Sequence, residues 1–318
     1  MHELIKLTGT VVDDSAERIP IGGVITFAKL LFPFQIQEAN SWIKNWNVFE
    51  GVLLGVVFSD AEWLYLEGSA VMVGPSIAIT AKHVIEARFS GIAEGLENMH
   101  CIGITSLGLQ MWAVKKVTYC LENDLAMLGL ELISAIDEGD TLNQSIITTK
   151  VPEIGENVII YGFKAADNRF QRESICKPYE PMSKPIENML LFSQGKVTQH
   201  FLTQRDSFLM PWPVIEVDCP SWGGMSGGPV FNHEGRLIGL LSSSIETASN
   251  DGPSYVSLIY PALTMVFEGG WPAPLFKNPT SLLELDPRAC EIEGREALSF
   301  VRSEDGKSCH TVYSPFKK

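Results

Sequence analysis

The chain has 318 residues, 45% of them hydrophobic, so it is long and apolar enough to bury a sizeable core. It carries 24 Lys and Arg against 38 Asp and Glu, a formal net charge of −14. That balance argues against a nucleic-acid partner, which would require a basic face along the phosphates.

Membrane, secretion and metal signals are weak in the sequence. The most hydrophobic run, at 22–36, is interrupted by Lys29 and Pro33 and is too short to span a bilayer. The N-terminus lacks the pattern of a secretory signal. The six cysteines lie far apart, with no C-x-x-C pair and no histidine at metal-ligand spacing. We therefore expect a cytoplasmic protein with reduced thiols, no membrane partner, no metal and no cofactor.

In chain order, residues 1–49 are predicted to be an N-terminal extension. From Val52 onward, short apolar runs alternate with Gly, Pro, Asp or Asn, a pattern typical of an all-β sandwich or barrel. Examples are VLLGVVF, IAIT, LAMLGLEL, NVIIYGF and RLIGLLSSSI. The connector WPAPLFKNP follows the last run, and we expect 271–318 to be a C-terminal tail.

One serine has an unusual setting, because four glycines and a proline surround Ser226 in WGGMSGGPV. Glycines let the main chain turn tightly and leave the serine uncovered. The stretch also matches the G-x-S-x-G nucleophile elbow of α/β-hydrolases. That elbow joins a strand to a helix, whereas the sequence after Ser226 predicts a β-hairpin, so we reject this interpretation.

An activated serine requires a base, and the base requires an orienting acid. His83, in SIAITAKHVIE, follows a short apolar strand whose small residues allow close packing. Asp124, in ENDLAMLGLEL, stands at the entrance of an apolar strand, where a carboxylate needs a partner to offset its desolvation. Taken singly, each also fits a structural role, as a packed histidine or a turn-capping carboxylate.

Together the motifs TAKHV, NDLAML and GMSGGPV, in this order, resemble the trypsin-like serine peptidases. The resemblance covers roughly 52–268. It implies an all-β fold of two antiparallel six-stranded β-barrels with the active site in the cleft between them. The peptidase domain would span 50–270, with a first barrel at about 50–150 and a second at about 151–268.

The resemblance also implies the role of each site residue. Ser226 would attack the peptide carbonyl, His83 would take and return the proton, and Asp124 would orient the imidazole. The backbone amides of Gly224 and Ser226 would form the oxyanion hole.

Substrate contacts follow from the same resemblance. An extended peptide would pair with the strand that carries Ser242, Ser243 and Ser244. Pro220 stands six positions before the serine, where trypsin has the acid that selects Lys or Arg. A small or apolar specificity pocket that includes Pro220 is therefore expected.

Two departures set the chain apart from secreted zymogen-type trypsins. Val84 replaces the cysteine that follows the histidine, and Met225 replaces the acid that pairs with a newly cut N-terminus. In these respects the chain is similar to intracellular bacterial relatives of the HtrA kind. ERIPIGGV resembles an activation-cleavage site, but without that acid we expect activity without cleavage after Arg18.

Two other functions fit the same fold: a protease-fold binding or scaffold protein with little activity, and a serine esterase. Degenerate relatives usually lose a triad residue or an oxyanion glycine, and neither is lost here, which favours a serine endopeptidase. The expected partner is a protein or peptide substrate, and the terminal extensions are where a regulatory partner would bind.

Overall fold

The computed structural model describes residues 6–10, 24–30, 41–42, 49–59, 63–86, 99–105, 108–134, 141–164, 169–171, 190–244, 252–267, 280–302 and 309–314. The Arg18–Ile19 bond lies outside these ranges. Among the described residues, no helix is long and apolar enough to cross a membrane.

Strands dominate the described chain. In order they are β1 (Lys6–Thr10), β2 (Val24–Leu30), β3 (Ser41–Trp42), β4 (Leu53–Ser59), β5 (Trp63–Gly74), β6 (Ile77–Ala81), β7 (Met99–Thr105), β8 (Gly108–Tyr119), β9 (Leu125–Leu132), β10 (Thr141–Ser145), β11 (Ile147–Thr148), β12 (Asn157–Phe163), β13 (Arg169–Gln171), β14 (Leu190–Phe201), β15 (Val214–Val217), β16 (Pro229–Asn232), β17 (Leu237–Ser244), β18 (Ser254–Leu258), β19 (Ile292–Glu293), β20 (Leu298–Arg302) and β21 (Cys309–Tyr313). In the part of the chain that the structure describes, helical structure is limited to one α-helical turn, α1 (Lys82–Glu86), and the 3₁₀ turns Tyr260–Thr264, Leu282–Glu284 and Arg295–Ala297.

The first barrel closes six antiparallel strands in the order β5-β4-β7-β8-β9-β6, and β5 pairs again with β6. Closure leaves no exposed sheet edge, so runs of consecutive apolar residues can be buried. Every residue of β4 and of β6 is buried.

The second barrel has the same architecture, with strand order β16-β12-β14-β15-β18-β17 and a further pairing of β16 with β17. One contiguous hydrophobic core extends through both barrels. The prediction of an all-β fold with two antiparallel six-stranded barrels is confirmed.

Strands from both ends of the chain lie beside the segment 141–151, which joins the barrels. β2 pairs in parallel with β10, and β19 pairs in parallel with β11. Side chains add to this packing, because Gln144 donates to the Ala289 carbonyl and Thr149 donates to the Gly294 carbonyl at 2.7 Å. The described part of 280–314 therefore packs against the barrels. The domain boundary near residue 270 stays a prediction.

Candidate active site

The register of two strands brings Asp124 to His83. Ala81, the last residue of β6, pairs with Leu125, the first residue of β9. Asp124 precedes Leu125 directly, and its carbonyl accepts the Lys82 N–H at 3.2 Å. The chain then turns into α1, which presents the His83 side chain 46% exposed.

The Asp124 carboxylate holds His83 at two points. Its Oδ2 lies 2.7 Å from Nδ1 of the imidazole, and its Oδ1 accepts the His83 backbone N–H at 3.0 Å. Ser242 donates its hydroxyl to the same Oδ2. The Asp124 side chain is only 7% exposed, and these donors offset the cost of removing it from water. An ionised carboxylate only accepts, so Nδ1 carries the proton and Nε2 is the basic nitrogen.

Asn123 and Ser242 tie the Asp124 loop to the second barrel. The Asn123 amide nitrogen donates to the Leu258 carbonyl of β18 at 2.8 Å, and its oxygen accepts the Asp124 N–H at 2.7 Å. Ser242 belongs to β17, also in the second barrel. The position of the His83–Asp124 pair is therefore set by both barrels. The sequence motif contains Asn123 but gives no sign of this cross-barrel contact.

Ser226 lies in a pair of tight turns that precede β16 and is partly exposed. The Met225 N–H donates to the Trp222 carbonyl at 3.0 Å, and the Gly228 N–H donates to the Met225 carbonyl at 2.8 Å. Gly224 has φ +89°, a left-handed conformation that favours glycine because it has no Cβ.

Gly227 brings the Ser226 turn against the first barrel. It has φ +78°, and a Cβ added there would collide with the Ser69 carbonyl and lie 2.8 Å from the backbone nitrogen of Ala81. Ala81 ends β6, two residues before His83. The loop that carries Ser226 is thus packed against the strand end from which His83 projects.

The end of β17 has one paired edge. Ser243 and Ser244 lie opposite Tyr255 and Ser254 of β18. On its other edge, backbone hydrogen bonds extend to Leu241, which pairs with Gly227 and Gly228, and within the described chain no strand pairs with 242–244 on that side. The unpaired edge can accept an extended peptide by strand addition.

Pro220 is half-buried in the segment that leads to the Ser226 turn. Ser254 donates to the Cys219 carbonyl at 2.7 Å, and its hydroxyl lies 3.0 Å from that of Ser221. Burial raises the pKa of the Cys219 thiol to about 12, so this thiol is neutral. The side chains at positions 219, 221 and 254, around Pro220, are therefore small and uncharged. Sequence analysis missed Ser221 and Ser254, which only the strand register reveals.

Two carboxylates shortly before Pro220 have partners of their own. Glu216 accepts the hydroxyls of Thr198 and Tyr255 at 2.8 and 3.0 Å. Asp218 accepts the backbone N–H of Lys196. In the described ranges, no group of three or more His, Cys, Asp and Glu could hold a metal ion.

Comparisons with known proteins place this chain in a family. Residues 68–240, more than half of the chain, match the family described as Trypsin-like peptidase domain. Similar solved structures include the apo MamO protease domain of Magnetospirillum magneticum, at 16% identity and a TM-score of 0.44, over 66% of this chain and 93% of that one. Another is the Rv3671c protease of M. tuberculosis in an inactive form, at 14% identity and a TM-score of 0.43, over 67% of this chain and 85% of that one. No curated protein gives a match. On the family match, this chain belongs to the trypsin-like peptidase domains.

Proposed function

We propose that this protein is a serine endopeptidase with His83, Asp124 and Ser226 as its catalytic triad. The observation that supports the proposal most is that the buried Asp124 carboxylate is hydrogen-bonded to both Nδ1 and the backbone N–H of His83. A carboxylate held this way fixes both the ring orientation and the tautomer of an imidazole. That is the requirement for a histidine that acts as a general base.

The chemistry proceeds in two halves. Ser226 Oγ forms a bond to the carbonyl carbon of the substrate while Nε2 of His83 takes the hydroxyl proton. The tetrahedral intermediate collapses, the C–N bond breaks, and His83 gives the proton to the leaving amine. Water, deprotonated by His83, then hydrolyses the ester of the acyl-enzyme and regenerates Ser226.

The oxyanion formed in each half requires preorganised donors. We assign this role to the backbone N–H groups of Gly224 and Ser226. The left-handed φ of Gly224 supports the assignment, because the turn around Ser226 depends on a residue that tolerates this conformation.

The substrate in this proposal is an extended polypeptide bound along Ser242, Ser243 and Ser244. A small or apolar side chain would occupy the pocket at Pro220. Support comes from the proline at position 220, which carries no charge, and from Glu216 and Asp218, whose carboxylates already accept hydrogen bonds from groups of β14 and β18.

The test is cleavage of a heat-denatured protein lysate, followed by mass-spectrometric mapping of new N-termini. We expect new termini after small or apolar residues with the wild-type protein and none with Ser226→Ala, which should unfold at the same temperature. Hydrolysis of ester substrates without peptide cleavage would identify an esterase. A folded protein that cleaves neither would be a binding protein, and the proposal would be wrong.

We also propose a cytoplasmic location and a partner set limited to proteins and peptides. Cys101, Cys120 and Cys219 are buried free thiols, the usual state in a reducing compartment. The net charge of −14 disfavours association with nucleic acid or an anionic membrane surface. Cell fractionation of the tagged full chain checks the location.

A further inference from the structure

Ser69, on β5 of the first barrel, is a fully buried serine at the centre of a hydrogen-bond network around the Ser226 turn. Its hydroxyl donates to the Gly224 carbonyl at 3.0 Å, and its backbone N–H donates to the Ser226 carbonyl at 2.8 Å. Ser69 thus holds two peptide planes, the one that follows Gly224 and the one that follows Ser226. The N–H groups of these two residues are the assigned oxyanion donors. We propose that Ser69 is a positioning residue for the oxyanion hole, an inference that rests on the proposed function.

The bonds from Ser69 restrict the direction of the Ser226 N–H. The peptide plane between Gly224 and Met225 is held at both ends, by Ser69 at its oxygen and by Trp222 at its nitrogen. The next plane has its oxygen bonded to the Gly228 N–H. In a trans peptide, C=O and N–H point in opposite directions. The Met225 carbonyl points into the turn, so the Ser226 N–H, which shares its peptide plane, points out of the turn.

Ser69 can hold the turn because it is itself held by both barrels. Its carbonyl accepts the Thr80 hydroxyl at 2.7 Å, within the first barrel. Its Oγ accepts the backbone N–H of Phe163 at 2.9 Å, from β12 of the second barrel. The Ser69 hydroxyl therefore donates to one segment of the second barrel while it accepts from another.

The conformation of Gly224 makes this restraint necessary. Glycine populates left- and right-handed conformations about equally, so its own backbone preference does not keep φ at +89°. Without the Ser69 hydroxyl, the Gly224 carbonyl would lose its donor and the peptide planes around it could rotate. The Gly224 N–H would then leave the position where the oxyanion forms.

The test compares Ser69→Ala with Ser145→Ala in the full chain. Ser145 is a matched control because it is also fully buried and its hydroxyl donates to the Met72 carbonyl at 3.1 Å rather than to the Ser226 turn. Removal of a whole oxyanion donor costs about 10²–10³ in kcat, so we expect Ser69→Ala to lower kcat by roughly 10- to 100-fold. KM should change by less than about 3-fold, because ground-state binding does not use these donors. Ser145→Ala should keep the wild-type kcat.

Amide hydrogen exchange supplies a readout that does not depend on activity. Residues 222–228 should exchange faster in Ser69→Ala than in the wild type or in Ser145→Ala. If the wild type cleaves no substrate but Ser69→Ala still loosens this turn, the proposed function is wrong and the restraint is real. Unchanged exchange, or equal kcat losses in the two variants, would overturn the inference.

A second variant covers the case in which Ser69→Ala does not fold. Thr80→Val keeps the Ser69 hydroxyl and removes only the bond that fixes its carbonyl. We expect kcat to fall by less than in Ser69→Ala. Residues 222–228 should exchange faster than in the wild type but more slowly than in Ser69→Ala. A wild-type kcat with wild-type exchange in Thr80→Val would contradict the network.

Discussion

At the scale of residues, Asp124 is the group on which the site depends most. It accepts the Nδ1–H and the backbone N–H of His83 and the hydroxyl of Ser242, while its loop is tied to Leu258 through Asn123. These contacts span the two barrels. A change at Asp124 should therefore affect both the chemistry of the site and the contact between the two barrels.

Asp124→Asn should lower kcat by about 10⁴, as measured for the corresponding change in a trypsin-type enzyme. The amide nitrogen of Asn can only donate, so it favours the imidazole tautomer with an unprotonated Nδ1 and leaves Nε2 unable to act as base. Steady-state kinetics on a peptide substrate measures the loss. An activity close to that of the wild type would remove Asp124 from the triad.

Ser242→Ala should lower kcat by roughly 10- to 100-fold, because a hydrogen bond to a charged group contributes about 1.5–3 kcal/mol. The hydroxyl that it removes helps to orient the Asp124 carboxylate. Ser257→Ala is the matched control, since Ser257 is buried on the adjacent strand and bonds to Trp212 instead. Equal kinetics for the two variants would show that the Ser242 hydroxyl has no part in orienting Asp124.

At the scale of elements, the described residues after β18 pack against the two barrels. Leu282 and Cys290 are fully buried, and the Tyr313 ring stacks on Tyr260 with centroids 4.7 Å apart. The Tyr313 hydroxyl accepts the N–H of Val151, in the segment between the barrels. The C-terminal elements thus brace the segment that joins the two barrels.

Leu282→Ala should lower the free energy of unfolding by about 2–5 kcal/mol, the range for deletion of a buried leucine side chain. Leu121→Ala, at a leucine that is 94% exposed, should change it by less than about 0.5 kcal/mol. Urea denaturation of both variants measures the difference. Similar midpoints for the two would mean that this segment is peripheral to the barrels.

The sequence predicted some elements well and others poorly, for physical reasons. Strand runs such as IAIT are local, so an all-β fold could be predicted from them. The two barrels and the approach of His83 to Asp124 were implied by the resemblance of the three site motifs to trypsin-like peptidases. The contacts of Ser69 with Gly224 and of Asn123 with Leu258 join residues more than a hundred positions apart. No local pattern encodes them, because they depend on how two finished barrels dock. The packing of 280–297 was missed for the same reason.

At the scale of the whole molecule, buried tyrosine and cysteine side chains make the free energy of unfolding fall at alkaline pH. Burial raises the pKa of Tyr161 from 10.0 to about 12 and that of the Cys120 thiol from 9.0 to about 11. The unfolded chain therefore loses these protons at lower pH than the folded chain. Their contribution to stability is complete below pH 9 and is lost as pH rises through about 11 to 12.

Tyr161→Phe should reduce this alkaline loss. The Tyr161 ring packs against Phe49 and Phe231, and phenylalanine keeps those contacts without an ionisable hydroxyl. Between pH 8 and pH 11, the variant should lose about 1 kcal/mol less of its free energy of unfolding than the wild type. Urea denaturation at the two pH values measures it. An equal loss in both proteins would mean that Tyr161 ionises normally in the fold.

The central claim, that His83 activates Ser226, is tested most directly by a fluorophosphonate probe with mass-spectrometric mapping of the modified peptide. The account predicts one adduct in the folded wild-type protein, on Ser226, formed at least about 100-fold more slowly in His83→Ala, since general-base catalysis contributes about 10²–10⁴. No adduct on Ser226, or equal rates of labelling in the two proteins, would contradict it.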